Sequence, residues 1–122
     1  MFNLKQMKKS FGHALEGIGL AFKYNQNIRF HFLAAIIVII VSIFLRVNAF
    51  EMGILGVMIL LVICTEMINT AIEEVVDLLI NEHRQEAKIA KDVSAGMVLL
   101  TAIGSIIVGI LIFAPHIIKL LK

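Results

Sequence analysis

The stretch TEMINTAIEEVVDLL, residues 65–79, carries Glu66, Glu73, Glu74 and Asp77. On a helix of about 3.6 residues per turn, Glu66, Asn69, Thr70, Glu73 and Asp77 share one face at spacings of three and four, with Glu74 to one side. The stretch continues directly from the apolar run Met52 to Cys64. Glu66 lies fifteen residues beyond Glu51, a helical rise of roughly 22 Å. In a hydrocarbon layer about 30 Å thick it would sit several ångströms short of the inner edge. Glu73 would lie at that edge and Asp77 beyond it. An ionised carboxylate at the depth of Glu66 costs about 2.5 kcal/mol or more. A carboxylate stripped of water is a keener proton acceptor, which suits a general base for a hydroxyl. Glu73, nearer water, suits a hard divalent cation such as Mg2+. A second motif, AKIAKDVSAGMVLL at 87–100, sets Lys88, Lys91 and Asp92 at a similar depth to Glu73. A lysine and carboxylates around one point are what a polyphosphate with Mg2+ requires. The competing reading is a helix end with solvated charges. It accounts for Glu74 and Asp77 well and for Glu66 poorly. Positive-inside anchoring accounts for Lys88 but less for the adjacent Lys91 and Asp92.

The elements that must position these groups are helices in a membrane. Of 122 residues, 60% are hydrophobic and the mean hydropathy is +0.96, more apolar than a wetted surface allows in a soluble domain of this size. The sequence predicts an all-α fold in one domain, 1–122. An amphipathic surface helix over 1–27 precedes transmembrane helices over 28–47, 52–80 and 92–118. In the surface helix Leu4, Met7, Phe11, Leu15, Ile18 and Phe22 recur every three or four residues; it serves as an anchor, or its polar face roofs a site. The first apolar run has no small-residue cleavage site after it and is expected to be retained. With the N-terminus inside, Lys5, Lys8, Lys9, Lys23, Arg29, Arg84, Lys88 and Lys91 are cytoplasmic, against Arg46, Lys119 and Lys122 outside. The positive-inside rule prefers this arrangement, with the polar connection 79–91 and the site on the cytoplasmic side.

Other features carry less. Gly17 and Gly19 form a G-x-G with no Walker sequence anywhere, and close helix packing is their simpler use. Thr101, Ser105 and Gly109 form a small-residue stripe suited to intramolecular packing or to an oligomer. Cys64, the single cysteine, allows no intramolecular disulfide and reads as a small buried hydrophobe. A net charge of +2 without an aromatic-basic platform gives no reason to expect nucleic acid.

Taken together, EMINTAIEEVVD at 66–77 and AKD at 90–92, with NIRFHFLAA at 27–35, closely resemble the small bacterial diacylglycerol kinase and undecaprenol kinase family over essentially the whole chain. The resemblance implies transfer of the γ-phosphoryl of MgATP to a lipid hydroxyl. It implies a homotrimer in the bacterial plasma membrane, with sites at the cytoplasmic interface between subunits. It makes Glu66 the general base, with Asn69 beside it at the lipid substrate, and Glu73 a metal ligand that also serves ATP. Asp77, Glu82, Lys91 and Asp92 match nucleotide-binding positions, and His83 and Arg84 neighbour them in the connecting loop. The family's second metal-binding glutamate falls at Asn25, whose amide oxygen would ligate Mg2+ without a charge. KIAKDVSAGMVLL and LIFAPHI look more like the undecaprenol kinase branch, with diacylglycerol as the alternative substrate. The opposing class is a non-catalytic membrane protein that uses its buried carboxylates otherwise, and consumption of MgATP with a lipid alcohol separates the two.

Overall fold

A computed structural model describes all residues, Met1 to Lys122. It contains four helices and no strands: α1 Leu4–Tyr24, α2 Gln26–Leu45, α3 Ala49–Leu79 and α4 Gln85–Leu121. The last three are long and apolar enough to cross a membrane, and the chain is a multi-pass membrane protein.

Local sequence sets the helix boundaries. Asn3 caps α1, its side chain accepting from the Gln6 backbone N–H at 3.2 Å. Asn25 both ends α1 and caps α2, so the two helices meet at an elbow one residue wide. Arg46 closes α2 in the left-handed conformation, φ 56°. Asn48 and Glu51 then form a reciprocal capping box that starts α3: Glu51 N–H donates to Asn48 Oδ1 at 2.8 Å and Asn48 N–H to Glu51 Oε1 at 3.0 Å.

The connection between α3 and α4 is shorter than its polarity predicts. Only residues 80–84 leave the helices, whereas a polar connection was expected over 79–91. Gln85, Glu86, Ala87 and Lys88 are good helix formers, and Lys88 pairs with Asp92 one turn on at 2.6 Å. α4 therefore begins well before its apolar part. At 31 and 37 residues, α3 and α4 are about 46 and 55 Å long, more than a bilayer core needs. The surplus projects a polar helical pair beyond the apolar layer.

α3 and α4 lie antiparallel along most of their length and form the main packing unit. Polar rungs fix their register. Lys91 meets Asp77, Ser94 meets Asn69, Thr101 meets Thr65 at 3.0 Å, and His116 meets Glu51 at 3.0 Å. Each pairing moves down α3 as it moves up α4. In lipid such bonds contribute about 0.6 kcal/mol each, and they choose the register because an unpaired polar group there is costly. The small-residue stripe is used within the chain. Thr101 makes its rung, Gly104 faces the Met58 methyl, and Ser105 and Gly109 line an apolar cavity of about 110 Å³ between α2, α3 and α4.

α2 packs chiefly on α3, and α1 touches little except α2. No residue of α1 is buried. The buried residues concentrate where α2 and α4 cover α3, including Ile28, Ala35, Leu55, Val62, Ile63 and Ile112. Leucine, isoleucine and valine side chains cover the outer faces, as lipid or a further protein chain demands. Cys64 belongs to that outer surface. Burial was expected from its apolar neighbourhood; its helical position turns it away from both α2 and α4.

Candidate active site

The acidic face of α3 divides between two neighbours. Glu66 and Thr70 turn toward the start of α2, while Asn69 and Asp77 turn toward α4. Glu66 is 3% exposed and Asn69 7%, whereas Glu73 and Asp77 are exposed. One helix face thus carries a carboxylate packed against α2 at one end and exposed carboxylates at the other.

Each oxygen of Glu66 meets a different part of α2. Asn25 Nδ2 donates to Glu66 Oε1 at 3.1 Å, and His31 Nε2 lies 3.8 Å from Oε2. The latter distance is too long for a hydrogen bond, so Oε2 keeps its accepting capacity. Thr70 Oγ1 donates to the Glu66 carbonyl at 3.0 Å and accepts from Asn25. No buried polar side-chain atom in the chain lacks a partner. His31 also lines the apolar cavity between the three membrane helices. A lipid chain lying there would carry its polar end toward Glu66.

Asn69 is the link to α4. Its Oδ1 accepts from Ser94 Oγ at 2.6 Å, and its Nδ2 donates to Glu73 Oε1 at 3.4 Å. The Lys91 carbonyl lies 2.9 Å from the same Ser94 Oγ and competes for its single proton. Asn69 thus stands between Ser94 and Glu73 with both ends of its amide engaged, and it orients the Glu73 carboxylate.

Past Glu73, the polar ends of α3 and α4 and their connection enclose a cavity of about 190 Å³. It brings together Asp77, Glu82, His83, Arg84, Lys91 and Asp92, all of the nucleotide-site candidates except Glu73, and adds Lys88. Its charges are internally paired: Lys91 with Asp77 at 2.5 Å, Lys88 with Asp92 at 2.6 Å, and Arg84 with Glu82 at 2.6 Å. Such exposed pairs are worth little, about 0–1 kcal/mol, so a polyanion with its cation could exchange them at small cost.

The expected metal ligands fare differently. No three carboxylate, imidazole or thiol groups converge on a point. Mg2+, however, is commonly held by one or two carboxylates together with substrate phosphates. Glu73 fits that limited role, being exposed and steered only by Asn69. Asn25 does not fit. Its Oδ1 accepts from the Asn27 and Ile28 backbone N–H groups at 2.8 and 3.3 Å, and its nitrogen faces Glu66. In this orientation the Asn25 oxygen is engaged by the α2 backbone and its nitrogen by Glu66.

Three contributors escaped sequence reasoning. Thr70 was placed on the right face without a task. His31 entered only as part of the stretch NIRFHFLAA at 27–35. Ser94 was not singled out, although it follows Lys91 by three residues and so shares its helix face.

The chain is thus a multi-pass membrane protein with a buried carboxylate on α3 and, further along the same helix, a cavity lined by cations and carboxylates. The chain matches the prokaryotic diacylglycerol kinase family over residues 12–113 and belongs to it. It is 39% identical over 113 residues to a diacylglycerol kinase of Synechocystis, covering 92% of this chain and 65% of that protein. It is likewise 39% identical over 112 residues to an undecaprenol kinase of Bacillus subtilis, covering 92% of this chain and 91% of that one. A diacylglycerol kinase of Escherichia coli is 27% identical over 108 residues, 88% of each chain. The chain thus spans about two thirds of the Synechocystis relative and nearly all of the Bacillus one. The family is one of lipid kinases, phosphotransferases with an alcohol acceptor.

Proposed function

We propose that this chain transfers the γ-phosphoryl of MgATP to the hydroxyl of undecaprenol at the cytoplasmic face of a bacterial cell membrane. The observation that carries the reading is the placement of Glu66. It is a carboxylate 3% exposed, open at Oε2, 3.8 Å from the His31 that lines the apolar cavity, and on the α3 face that runs on to Asp77 in the charged cavity. Glu66 takes the lipid O–H proton as that oxygen bonds to the γ-phosphorus. The bond from that phosphorus to the β–γ bridging oxygen breaks, and ADP leaves with the electron pair. Lys91, Lys88 and Arg84 exchange their carboxylate partners for phosphate oxygens. Glu73, held by Asn69, would bind the divalent cation together with phosphate oxygens, while Asp77 and Asp92 border the nucleotide once their lysines turn to phosphate. The cation, when bound, neutralises charge on the phosphates. Glu82 and His83 border the nucleotide from the connecting loop.

The excess of cations at the polar end of α3 and α4 and on α1 supports a cytoplasmic site. The recurrent apolar positions of α1 and its lack of buried residues support a helix lying on the membrane surface. The unpaired apolar outer faces of the membrane helices leave room for a homotrimer.

Undecaprenol is favoured over diacylglycerol because, of the two relatives at 39% identity, the undecaprenol kinase is matched over 91% of its length and the diacylglycerol kinase over 65%, while the diacylglycerol kinase matched over 88% of its length is only 27% identical. Equal identity to a diacylglycerol kinase keeps the second lipid as the comparison. Both alcohols present a primary hydroxyl, so the tail must decide. Turnover measured with both lipids in the same micelles should give the larger kcat/KM for undecaprenol. A ratio favouring diacylglycerol reverses the substrate, and MgATP consumption with neither lipid removes the kinase reading.

A further inference from the structure

Asn25 occupies the elbow where α1 ends and α2 begins, and its carboxamide has only one workable orientation. Oδ1 accepts from the backbone N–H groups of Asn27 and Ile28, capping α2. An amide NH2 cannot accept those bonds, so the oxygen must face α2 and the nitrogen must face outward. There the nitrogen donates to Glu66 Oε1 at 3.1 Å and to Thr70 Oγ1. Thr70 spends its own proton on the Glu66 carbonyl, which leaves its oxygen able to accept. The side chain that grips Glu66 is therefore itself clamped by two backbone bonds.

We infer that Asn25 is a positioning residue for Glu66 and not a metal ligand. It fixes Oε1 as an acceptor at the α1–α2 elbow and leaves Oε2, 3.8 Å from His31, as the atom that meets the incoming hydroxyl. The inference rests on the reading of Glu66 as the base. It also makes the elbow part of the site, since any displacement of α1 against α2 moves the clamp.

Asn25→Ser and Asn25→Asp test this, because serine and aspartate both keep an N-cap oxygen. Serine removes the donor without adding charge. Aspartate places an oxygen where the nitrogen lies, 3.1 Å from Glu66 Oε1. Losing one donor to a charged group should lower kcat about tenfold for Asn25→Ser, and Asn25→Asp should fall further, to about a hundredfold. Nucleotide affinity and the Mg2+ concentration for half-maximal rate should stay unchanged in Asn25→Ser. A metal ligand would give the reverse order, with aspartate the best of the three and needing less Mg2+; that result overturns the inference. An independent readout is the infrared carboxylate band assigned to Glu66 by difference against Glu66→Gln, which should shift in Asn25→Ser even without nucleotide or metal. An unmoved band with an unchanged kcat also overturns it. If Asn25→Ser does not assemble, Asn25→Thr keeps a cap and loses the same donor. Full turnover in Glu66→Gln would instead remove Glu66 as the base, a failure distinct from that of Asn25.

Discussion

Replacing Glu66 and Glu73 by glutamine should damage the enzyme in two separable ways. Glu66→Gln fits the space it inherits. Its amide oxygen can accept from Asn25 where Oε1 does now, and its amide nitrogen falls on the side of His31, 3.8 Å from the present Oε2. The change also removes a charge whose insertion costs about 2.5 kcal/mol or more, so assembly should survive or improve. A general base contributes typically 10²–10⁴-fold, which at about 1.36 kcal/mol per decade is about 2.7–5.4 kcal/mol of barrier. That loss should fall on kcat, because Glu66 does not border the charged cavity in which MgATP is proposed to bind. Glu73→Gln removes the exposed carboxylate that accepts from Asn69 and is the proposed cation ligand, and it should weaken MgATP binding as well as slow turnover. Nucleotide affinity and turnover measured for both variants in one detergent decide the matter. If Glu66→Gln loses MgATP affinity as severely as Glu73→Gln, the division of labour by depth is wrong, and the acidic face is a single metal site.

Two further outcomes follow from the packing. Ser94→Ala strips Asn69 Oδ1 of its partner at 2.6 Å, which should destabilise the folded chain by about 1–3 kcal/mol and raise the KM for MgATP through a loosened Glu73; a thermal scan and a nucleotide titration at unchanged KM would refute the relay. For orientation, single cysteines at positions 85 and 122 in a chain with Cys64 replaced should differ in intact cells: an impermeant reagent should label 122 and spare 85, and labelling of 85 would invert the topology.

The fold was legible because membrane helices announce themselves through length and apolarity, and because helical spacing converts residues 66–77 into a face without reference to anything else. The same arithmetic orders Glu66, Glu73 and Asp77 by depth; Glu66 is buried and the other two are exposed. The connection was misjudged because polarity was taken as a sign of loop. Gln85 to Asp92 are polar, yet they are helix formers paired at i and i+4, and a helix leaving a membrane has no reason to stop at the interface. The orientation of Asn25 was not legible for a different reason. Spacing gave its position relative to Arg29 and His31 but could not say which end of its amide faces which neighbour. That choice belongs to the backbone at the elbow, whose two unpaired N–H groups demand an oxygen. A glutamate at the same position could satisfy those donors with one oxygen and would still have a second oxygen to offer, either to a cation or against Glu66. An asparagine has one oxygen, already taken, and a nitrogen that can only donate. Exchanging a carboxylate for a carboxamide at this elbow therefore changes the residue's partner from a cation to the neighbouring carboxylate.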